Sequence, residues 1–384
     1  MSRPVRILHA HSTFGLGGKE ARSARLMGAF GDRAEHVVLS AVPGALEARE
    51  AIDRSVRVSF PDDAPPLAGR SSPARLLRLA LYARRFDLLL AYNWGAFDLV
   101  MARRLYGAML GLPPLVHHED GFNEDEALAR SPRRNLYRRL GLGAASRLVV
   151  PSATLEAIAR NEWRRPQRTI ARIANGIAVG RYAPAPEDTI PGLPDVPGEI
   201  VIGTVAGLRA VKNLPRLVRA FAGMKAKRGR LVIVGAGPES ERIAAQARAC
   251  GVADRVHLPG FLADPARWIG RFDIFALSSD SEQFPISLVE AMAAGLPAVA
   301  TAVGDVPVIV SADNRPLIVA PSDEAAFAAA LDSLAERPDL RRAIGRANRD
   351  QAAAEYDEVG MIANYARIYG EAIGRPEAFI TRSS

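Results

Sequence analysis

Residues 278–301 read S-S-D-S-E-Q-F-P-I-S-L-V-E-A-M-A-A-G-L-P-A-V-A-T, and no other stretch constrains the fold as tightly. The order is strand end, polar loop, helix and next strand. Pro285 suits a first helical position, residues 286–294 are mostly good helix formers, and Gly295 with Pro297 supplies a stop. The spacing therefore predicts a short helix opening just after Glu282, with Glu290 one turn in.

A helix start leaves backbone N–H groups without intrahelical partners, here those near Ile286, Ser287 and Leu288, and the macrodipole favours an anion such as a diphosphate. Glu290 follows Ile286 by four residues and Ser287 by three, so it shares a stripe with that first turn. Phosphates at the tip and vicinal hydroxyls along the side would fit one nucleotide. Glu282, in the loop before the tip, is placed to accept hydrogen bonds from a sugar beyond the phosphates. The bland alternative is a surface helix of an α/β sheet with two solvated carboxylates.

The two glutamates seven residues apart, the intervening Phe284-Pro285 and the following E-A-M-A-A-G-L-P-A-V-A occur together. This resembles the E-x7-E signature of the retaining glycosyltransferases of family 4, which have the GT-B fold. The resemblance implies two Rossmann-like doubly wound α/β domains facing across a cleft. It implies donor contacts at Phe284, Pro285, Ile286, Ser287, Leu288 and Glu290, with Glu282 on the transferred sugar. Gln283 departs from the pattern, standing where many relatives have Gly.

The 384 residues are long for one domain and comfortable for two, and 48% hydrophobic with 24% charged residues are globular values. The single cysteine, Cys250, excludes an intrachain disulfide. Residues 1–10 carry no long apolar signal segment, and no apolar run approaches the ~20 residues that span a bilayer. The expectation is a soluble chain in a reducing, cytoplasmic compartment, either free or peripheral at the inner face of the membrane. The net charge of +8 is uneven: residues 1–182 hold 28 Lys and Arg against 17 Asp and Glu, whereas residues 183–384 hold 22 against 25. Arg84-Arg85, Arg103-Arg104 and the run 130–147 carry much of the excess. Such a surface suits anionic lipid or a phosphorylated substrate, or is a plain solvated helix face. Nucleic acid is disfavoured, because no zinc spacing, aromatic RNP motif or helix-turn-helix pattern lies nearby.

Residues 5–10 form a short, mostly apolar run leading into H-S-T-F-G-L-G-G-K-E and a helical pattern over 21–30, the opening of a doubly wound sheet. The glycines do not complete a G-x-G-x-x-G fingerprint, which disfavours a nicotinamide dehydrogenase. The loop resembles the G-G-x-E loop of the same family, implying that Gly17 and Gly18 lie near donor phosphates; a tight strand-to-helix turn is the alternative. Further units follow at 36–39, 45–52 and 56–60, then a polar loop over 61–73, a helix over 74–85 and a buried strand F-D-L-L-L-A-Y-N. Asn93 and Trp94 at its end are candidate acceptor wall, Trp94 equally a packing residue.

The run P-P-L-V-H-H-E-D-G ends another strand with His117, His118, Glu119 and Asp120. Alternating strand residues face opposite ways, so this run alone offers at most two good metal ligands. The family carries a functional His here. His118 fits if the His ends the strand, whereas the His-Gly form of the motif places Asp120 there. His118 is favoured, with Glu119 and Asp120 as substitutes. Asn175-Gly176 resembles the turn that leaves the first domain, and five prolines in 183–199 mark a linker.

A second set of units begins at residue 200. G-L-R-A-V-K-N resembles the family's phosphate clamp G-R-L-x-x-x-K-N, with Gly207 where the Arg usually stands. Lys212 carries over directly, and Arg209 is the candidate for the missing Arg. Gly235-Ala236-Gly237-Pro238 reads as a strand-to-helix turn. By resemblance Gly260, Phe261 and Leu262 offer groups to the base. A last strand and helix start near 316, and helices over 339–349 and 361–373 close the chain.

The expected organisation is therefore 1–182 on the acceptor side, a linker at 183–199, the nucleotide-sugar domain at 200–360, and a terminal helix at 361–384 crossing back. The expected reaction is transfer of a sugar from a nucleotide-diphospho-sugar to a glycan or lipid-linked acceptor with retention, without metal or cofactor. A nucleotide-sugar epimerase or hydrolase and a silent sugar-nucleotide-binding partner are the alternatives.

Overall fold

The computed structural model describes residues 3–15, 17–69, 72–122, 126, 130–182 and 188–380. Part of the run after Gly121 and residues 183–187 of the expected linker lie outside them. The chain divides into two compact units, residues 1–175 with 360–384, and residues 176–359.

Unit 1 is built on strands β1 (Val5–His11), β2 (Ala34–Ser40), β3 (Val58–Ser59), β4 (Leu88–Tyr92), β5 (Leu115–His118), β6 (Arg147–Val150) and β7 (Ile170–Arg172). They form one parallel sheet in the order β3-β2-β1-β4-β5-β6-β7. The order reverses at β1, so the crevice between the carboxyl ends of β1 and β4 is the switch point where such sheets bind ligands. Helices α1 (Gly18–Phe30), α2 (Pro73–Ala83), α3 (Phe97–Leu110), α4 (Pro132–Gly141) and α5 (Ala153–Asn161) connect them. Serine caps start three of these: Ser72, Ser131 and Ser152 each accept from the backbone N–H three residues on.

Alternate strand residues sort to two faces, as a sheet covered on both sides requires. Leu8, Leu89, Ala91, Leu115 and Leu148 pack with Leu79 of α2, Leu99 of α3 and Leu155 of α5. Ile7, Leu88, Leu90, Val116 and Val149 pack instead with Leu26 and Phe30 of α1, and with Tyr365, Ile368 and Tyr369 from the end of the chain.

Unit 2 repeats the plan. Strands β8 (Ile200–Val205), β9 (Gly229–Val234), β10 (Val256–Gly260), β11 (Ile274–Leu277), β12 (Ala298–Thr301) and β13 (Ile318–Val319) lie parallel in the order β10-β9-β8-β11-β12-β13. The switch point here falls between β8 and β11. Helices α6 (Leu214–Gly223), α7 (Ser240–Ala249), α8 (Ile286–Ala293), α9 (Val306–Ile309), α10 (Glu324–Glu336) and α11 (Pro338–Glu355) cover it, and α12 (Glu358–Ala372) carries the chain on.

The linker reading needs correction at both ends. The first unit ends at Asn175, and the described part of the proline-rich stretch packs on unit 2. Ile190 is buried, Asp188 pairs with Arg267, and Pro191 O lies 2.8 Å from His257 Nε2. Prolines stop that stretch from joining a strand, but they do not stop an apolar side chain among them from docking.

Candidate functional site

In unit 2 the loops after β8 and β11 are stitched together. Ser278 Oγ donates to the carbonyls of Lys212 and Asn213, Asp280 N donates to Val211 O at 2.8 Å, and Arg216 reaches both Ser278 O and Asp280. The first loop is held from its other side by the glycine turn after β9. A Cβ on Gly235, at φ +145°, would lie 1.8 Å from Ala206 O. That turn is therefore a backbone brace for residues 206–208, in agreement with its reading as a turn.

This bracing presents Lys212 and Arg209. Lys212 Nζ donates to Glu282 Oε1 at 2.6 Å, and Ser279 Oγ donates to the same oxygen at 2.7 Å. Arg209 is exposed, and its Nε lies 3.7 Å from where a Cβ on Gly207 would sit. The guanidinium of Arg209 thus passes beside the backbone position that lacks an arginine side chain.

Helix α8 starts one residue later than its spacing predicts: Pro285 caps it with extended backbone, and Ile286 is the first helical residue. Leu288 N–H is already taken by Pro285 O at 3.2 Å, so it is removed from the expected anion donors. Among the described residues, the N–H groups of Ile286 and Ser287 have no acceptor. The loop before α8 is pinned by Gly304, whose absent Cβ would fall 2.0 Å from Glu282 O. Phe284 packs edge-on against Tyr356 at 5.5 Å. Gln283 Oε1 is buried without a hydrogen-bond partner.

Glu290 lies one turn into α8. Burial pushes its carboxyl up to about 7, against the stabilising hydrogen bond from Tyr182 Oη at 3.0 Å, while Asp264 pushes it further up. Asp264 is itself paired with Arg181 at 2.6 Å. Sequence reasoning missed Tyr182 and Gly304: one is a side chain six positions past the Asn175-Gly176 turn, the other a close approach between distant loops. Gly260 O is committed to Gly235 N–H at 2.9 Å, and Phe261 projects with 67% of its surface exposed.

In unit 1, α1 begins at Gly18 with Gly17 as its cap, and Glu20 turns back so that a Cβ on Gly17 would lie 2.6 Å from its Oε2. His118 is fully buried. Its Nδ1 lies 3.3 Å from Ala91 O, its Nε2 lies 2.8 Å from Tyr369 Oη, and Tyr92 stacks on it. Burial, with Arg22 nearby, lowers its pKa to about 3.

Asp120, two residues on, is half-buried and held by both nitrogens of the Arg22 fork at 2.6 and 2.8 Å. Arg22 also donates to Asn175. Asn93 joins β4 to β5: its N–H donates to His118 O and its side-chain oxygen accepts from Asp120 N–H, both at 2.8 Å. Trp94 is a packing residue against Phe97 and Tyr137, flanked by Arg134 and Arg138. Glu119 is buried facing His117 at 3.7 Å and Arg138 at 3.5 Å. Asn93, Trp94 and Glu119 therefore help hold the strand mouth together, with Asn93 and Trp94 partly exposed there.

Among the described residues no group of three or more His, Cys, Asp and Glu side chains is arranged to hold a metal ion, and no helix is long and apolar enough to cross a membrane.

Residues 16–181 match the family model Glycosyltransferase Family 4, and residues 188–351 match Glycosyl transferases group 1. N-acetyl-alpha-D-glucosaminyl L-malate synthase of Bacillus anthracis is 27% identical over 44% of this chain and 45% of its own length. A D-inositol 3-phosphate glycosyltransferase of Segniliparus rotundus is 34% identical over 44% and 40%. A putative colanic acid biosynthesis glycosyltransferase of Escherichia coli is 28% identical over 66% and 62%. These matches span between two fifths and two thirds of the curated relatives' lengths. Sucrose-phosphate synthase of Thermosynechococcus elongatus superposes with a TM-score of 0.76 at 20% identity, over 96% of this chain and 99% of that one. HepE of Anabaena, solved with UDP, gives 0.74 at 20% identity over 95% and 100%. With both halves matched by adjoining family models and the whole fold shared with such structures, the chain belongs to the family 4 type of glycosyltransferases with the GT-B fold.

Proposed function

We propose that the chain moves a sugar from a nucleotide-diphospho-sugar, held on unit 2, to an acceptor hydroxyl with retention of configuration. The pathway class is cell-surface polysaccharide or glycolipid synthesis, with a glycan or lipid-linked acceptor at the cytoplasmic face of the membrane. One observation carries this reading. Arg209, Lys212, the open start of α8, Glu282 and Glu290 gather at the carboxyl ends of two adjacent strands, at the switch point of the sheet. In that arrangement the diphosphate meets the cations and helix start, the ribose diols meet Glu290, and Glu282 faces the sugar.

The reaction breaks the bond from the sugar's anomeric carbon to the phosphate oxygen and forms one from the same face to the acceptor oxygen. The acceptor proton passes to the departing phosphate, and a nucleoside diphosphate leaves. Protein groups supply position and charge: Lys212 and Arg209 stabilise the negative charge that grows on the leaving group. No cofactor or metal enters this scheme. On the unit 1 side we assign the sugar-orienting role to Asp120 rather than His118. Both ring nitrogens of His118 face internal partners, whereas the Asp120 carboxylate is half-buried at the strand mouth and oriented by Arg22.

The test is a screen of nucleotide sugars for a rise in melting temperature, starting with uridine nucleotides because HepE was solved with UDP. A hit is then incubated with candidate acceptors. Stabilisation by a nucleoside diphosphate and its sugar is expected. No stabilisation by any nucleotide sugar overturns the reading, and release of free sugar without acceptor turns it into hydrolysis.

A further inference from the structure

We infer that the outer face of helices α2, α3 and α4 of unit 1 docks onto an anionic lipid bilayer, inserting leucine and methionine side chains between the head groups. Leu81, Leu105, Met109, Leu136 and Leu140 are exposed by 47%, 54%, 70%, 55% and 53%, and they make up five of the eleven exposed large apolar side chains among the described residues. All five lie on three helices that cover one face of the sheet: Tyr106 of α3 bonds Pro73 O of α2, and Gly141 of α4 sits against Phe97 and Met101 of α3. The pairs 105/109 and 136/140 are each one turn apart, so each pair makes a single outward ridge.

The charge on the three helices themselves is strongly positive, with the neighbouring acid Glu162 tied to Arg130 and to Asn135 of α4. Arg78, Arg104, Arg133 and Arg139 are exposed on the same helices, and Arg84 and Arg85 follow α2 directly. The only acid on the three helices, Asp98, is paired with Arg75. Apolar tips ringed by long cationic side chains are what an amphipathic interfacial surface needs, since the arginine stems lie along the apolar layer while their heads meet lipid phosphate. A protein partner would leave at least six cations to be matched one by one, whereas an anionic leaflet neutralises them as a field.

A shallow cavity of about 320 Å³ opens at the same end of α2 and α3, lined by Arg84 and Arg375 and by Asp87, whose carboxylate is paired with Arg3. It is large enough to seat a phosphate head group. Most of the apolar tips belong to the later turns of their helices. In a parallel sheet those turns lie near the amino ends of the strands, away from the switch point at the carboxyl ends.

This inference rests on the proposed lipid-linked or membrane-delivered acceptor only for its biological sense. Its test uses neither donor nor acceptor, so it fails or stands apart from the transferase reading. The full chain is sedimented with vesicles of phosphatidylcholine alone and with about one third phosphatidylglycerol, at low and high salt. Binding to the anionic vesicles at low salt, weakened by salt and at least about tenfold lower on neutral ones, is expected. Leu105→Asp with Met109→Asp should lower binding about tenfold or more, with melting temperature unchanged because both sites are exposed. Arg104→Ser with Arg139→Ser should lower it similarly and flatten the salt dependence. Equal binding to neutral vesicles, indifference to both double variants, or a concentration-dependent dimer that the Leu105/Met109 variant dissolves would each overturn the proposal.

Discussion

The hydroxyl of Tyr182 donates to Oε1 of Glu290 at 3.0 Å, and it is the one hydrogen bond that opposes burial at that carboxylate. Burial pushes the Glu290 carboxyl to about 7, and Asp264 adds to the push. The phenol of Tyr182 is raised in turn by its own burial and by Glu290, so it stays a donor at every working pH. One carboxylate oxygen is thus oriented by the protein, and under the proposed function the other meets the diol of a ribose.

Nucleoside diphosphate affinity should therefore titrate with Glu290. Ionised carboxylate is the better acceptor, so affinity rises as pH rises through about 7 and falls close to tenfold per unit below it. Tyr182→Phe removes the donor that favours the charged form and should move the inflection to higher pH. Calorimetry across the range, on both proteins, checks this. A flat profile, or an unmoved one in the variant, separates Glu290 from nucleotide binding.

The same burial implies a trade of stability for binding. Between pH 4.5 and about 7 the folded protein holds a proton on Glu290 that the unfolded chain has released. Stability therefore falls as pH rises through that window, by an upper figure of about 3 kcal/mol. Glu290→Gln should melt higher than the parent at alkaline pH and equally at acid pH, while losing about 1.5 to 3 kcal/mol of nucleotide affinity. Thermal melts at two pH values with a parallel titration of ligand distinguish this from a merely damaged helix.

What was legible in the sequence follows from how local each signal is. The strand-loop-helix grammar of 278–301 and the buried run at 88–92 depend on near neighbours, and they appear as α8, β12 and β4. The Lys212–Glu282 contact, Gly304 under Glu282, and Tyr182 against Glu290 join loops far apart in the chain, so no spacing announces them. The setting of His118 was hidden for a related reason. A histidine ending a strand looks exposed in a linear reading, but Tyr369, 251 residues away, covers its free nitrogen.

Unit 1 should be acid-labile. His9, His11, His36 and His118 are buried together with lowered pKa values, each first through loss of solvent, His36 to about 4 and His118 to about 3. The unfolded chain takes up protons near pH 6.5 that these four refuse, so stability is present above that value and lost as pH falls. At pH 5 His36 and His118 each contribute a loss of about 2 kcal/mol, and His9 and His11 act in the same direction. Melting followed in mildly acidic buffers should show a steep fall, which His36→Gln reduces. An unchanged melting temperature down to pH 5 would mean that these imidazoles titrate freely.

Asp120 and His118 should separate cleanly. His118→Ala removes a stacked, doubly bonded core ring and should cost about 3 kcal/mol of stability. Asp120→Asn keeps the shape and backbone bond to Asn93 but weakens the Arg22 pairing; it should cut turnover strongly with donor affinity nearly unchanged. If His118→Gln folds well and loses turnover while Asp120→Asn does not, the histidine has the role after all.

Lys212 is paired with Glu282 in the free protein, and in the proposed complex it would meet the diphosphate as well. Its ammonium is 2.6 Å from Glu282, so in the free protein that carboxylate, in the loop before α8, holds it in place. When a diphosphate arrives, the remaining protons of Lys212 are free to turn to it, and the charge it meets grows as the glycosidic bond breaks. Lys212→Ala should therefore lower kcat by about a hundredfold or more, beyond its loss of donor affinity. The substitution also leaves Glu282 unpaired beside an anion. Glu282→Gln in the Lys212→Ala background should then recover part of the donor affinity, although the same change alone impairs turnover. With these cations and a helix start facing a leaving group of about two negative charges, turnover should persist in excess chelator. Abolition by EDTA with recovery on adding Mg²⁺ or Mn²⁺ would replace the cationic clamp with a metal-assisted departure. Strictly additive losses for Lys212 and Glu282 would show that the pair does not act as one unit.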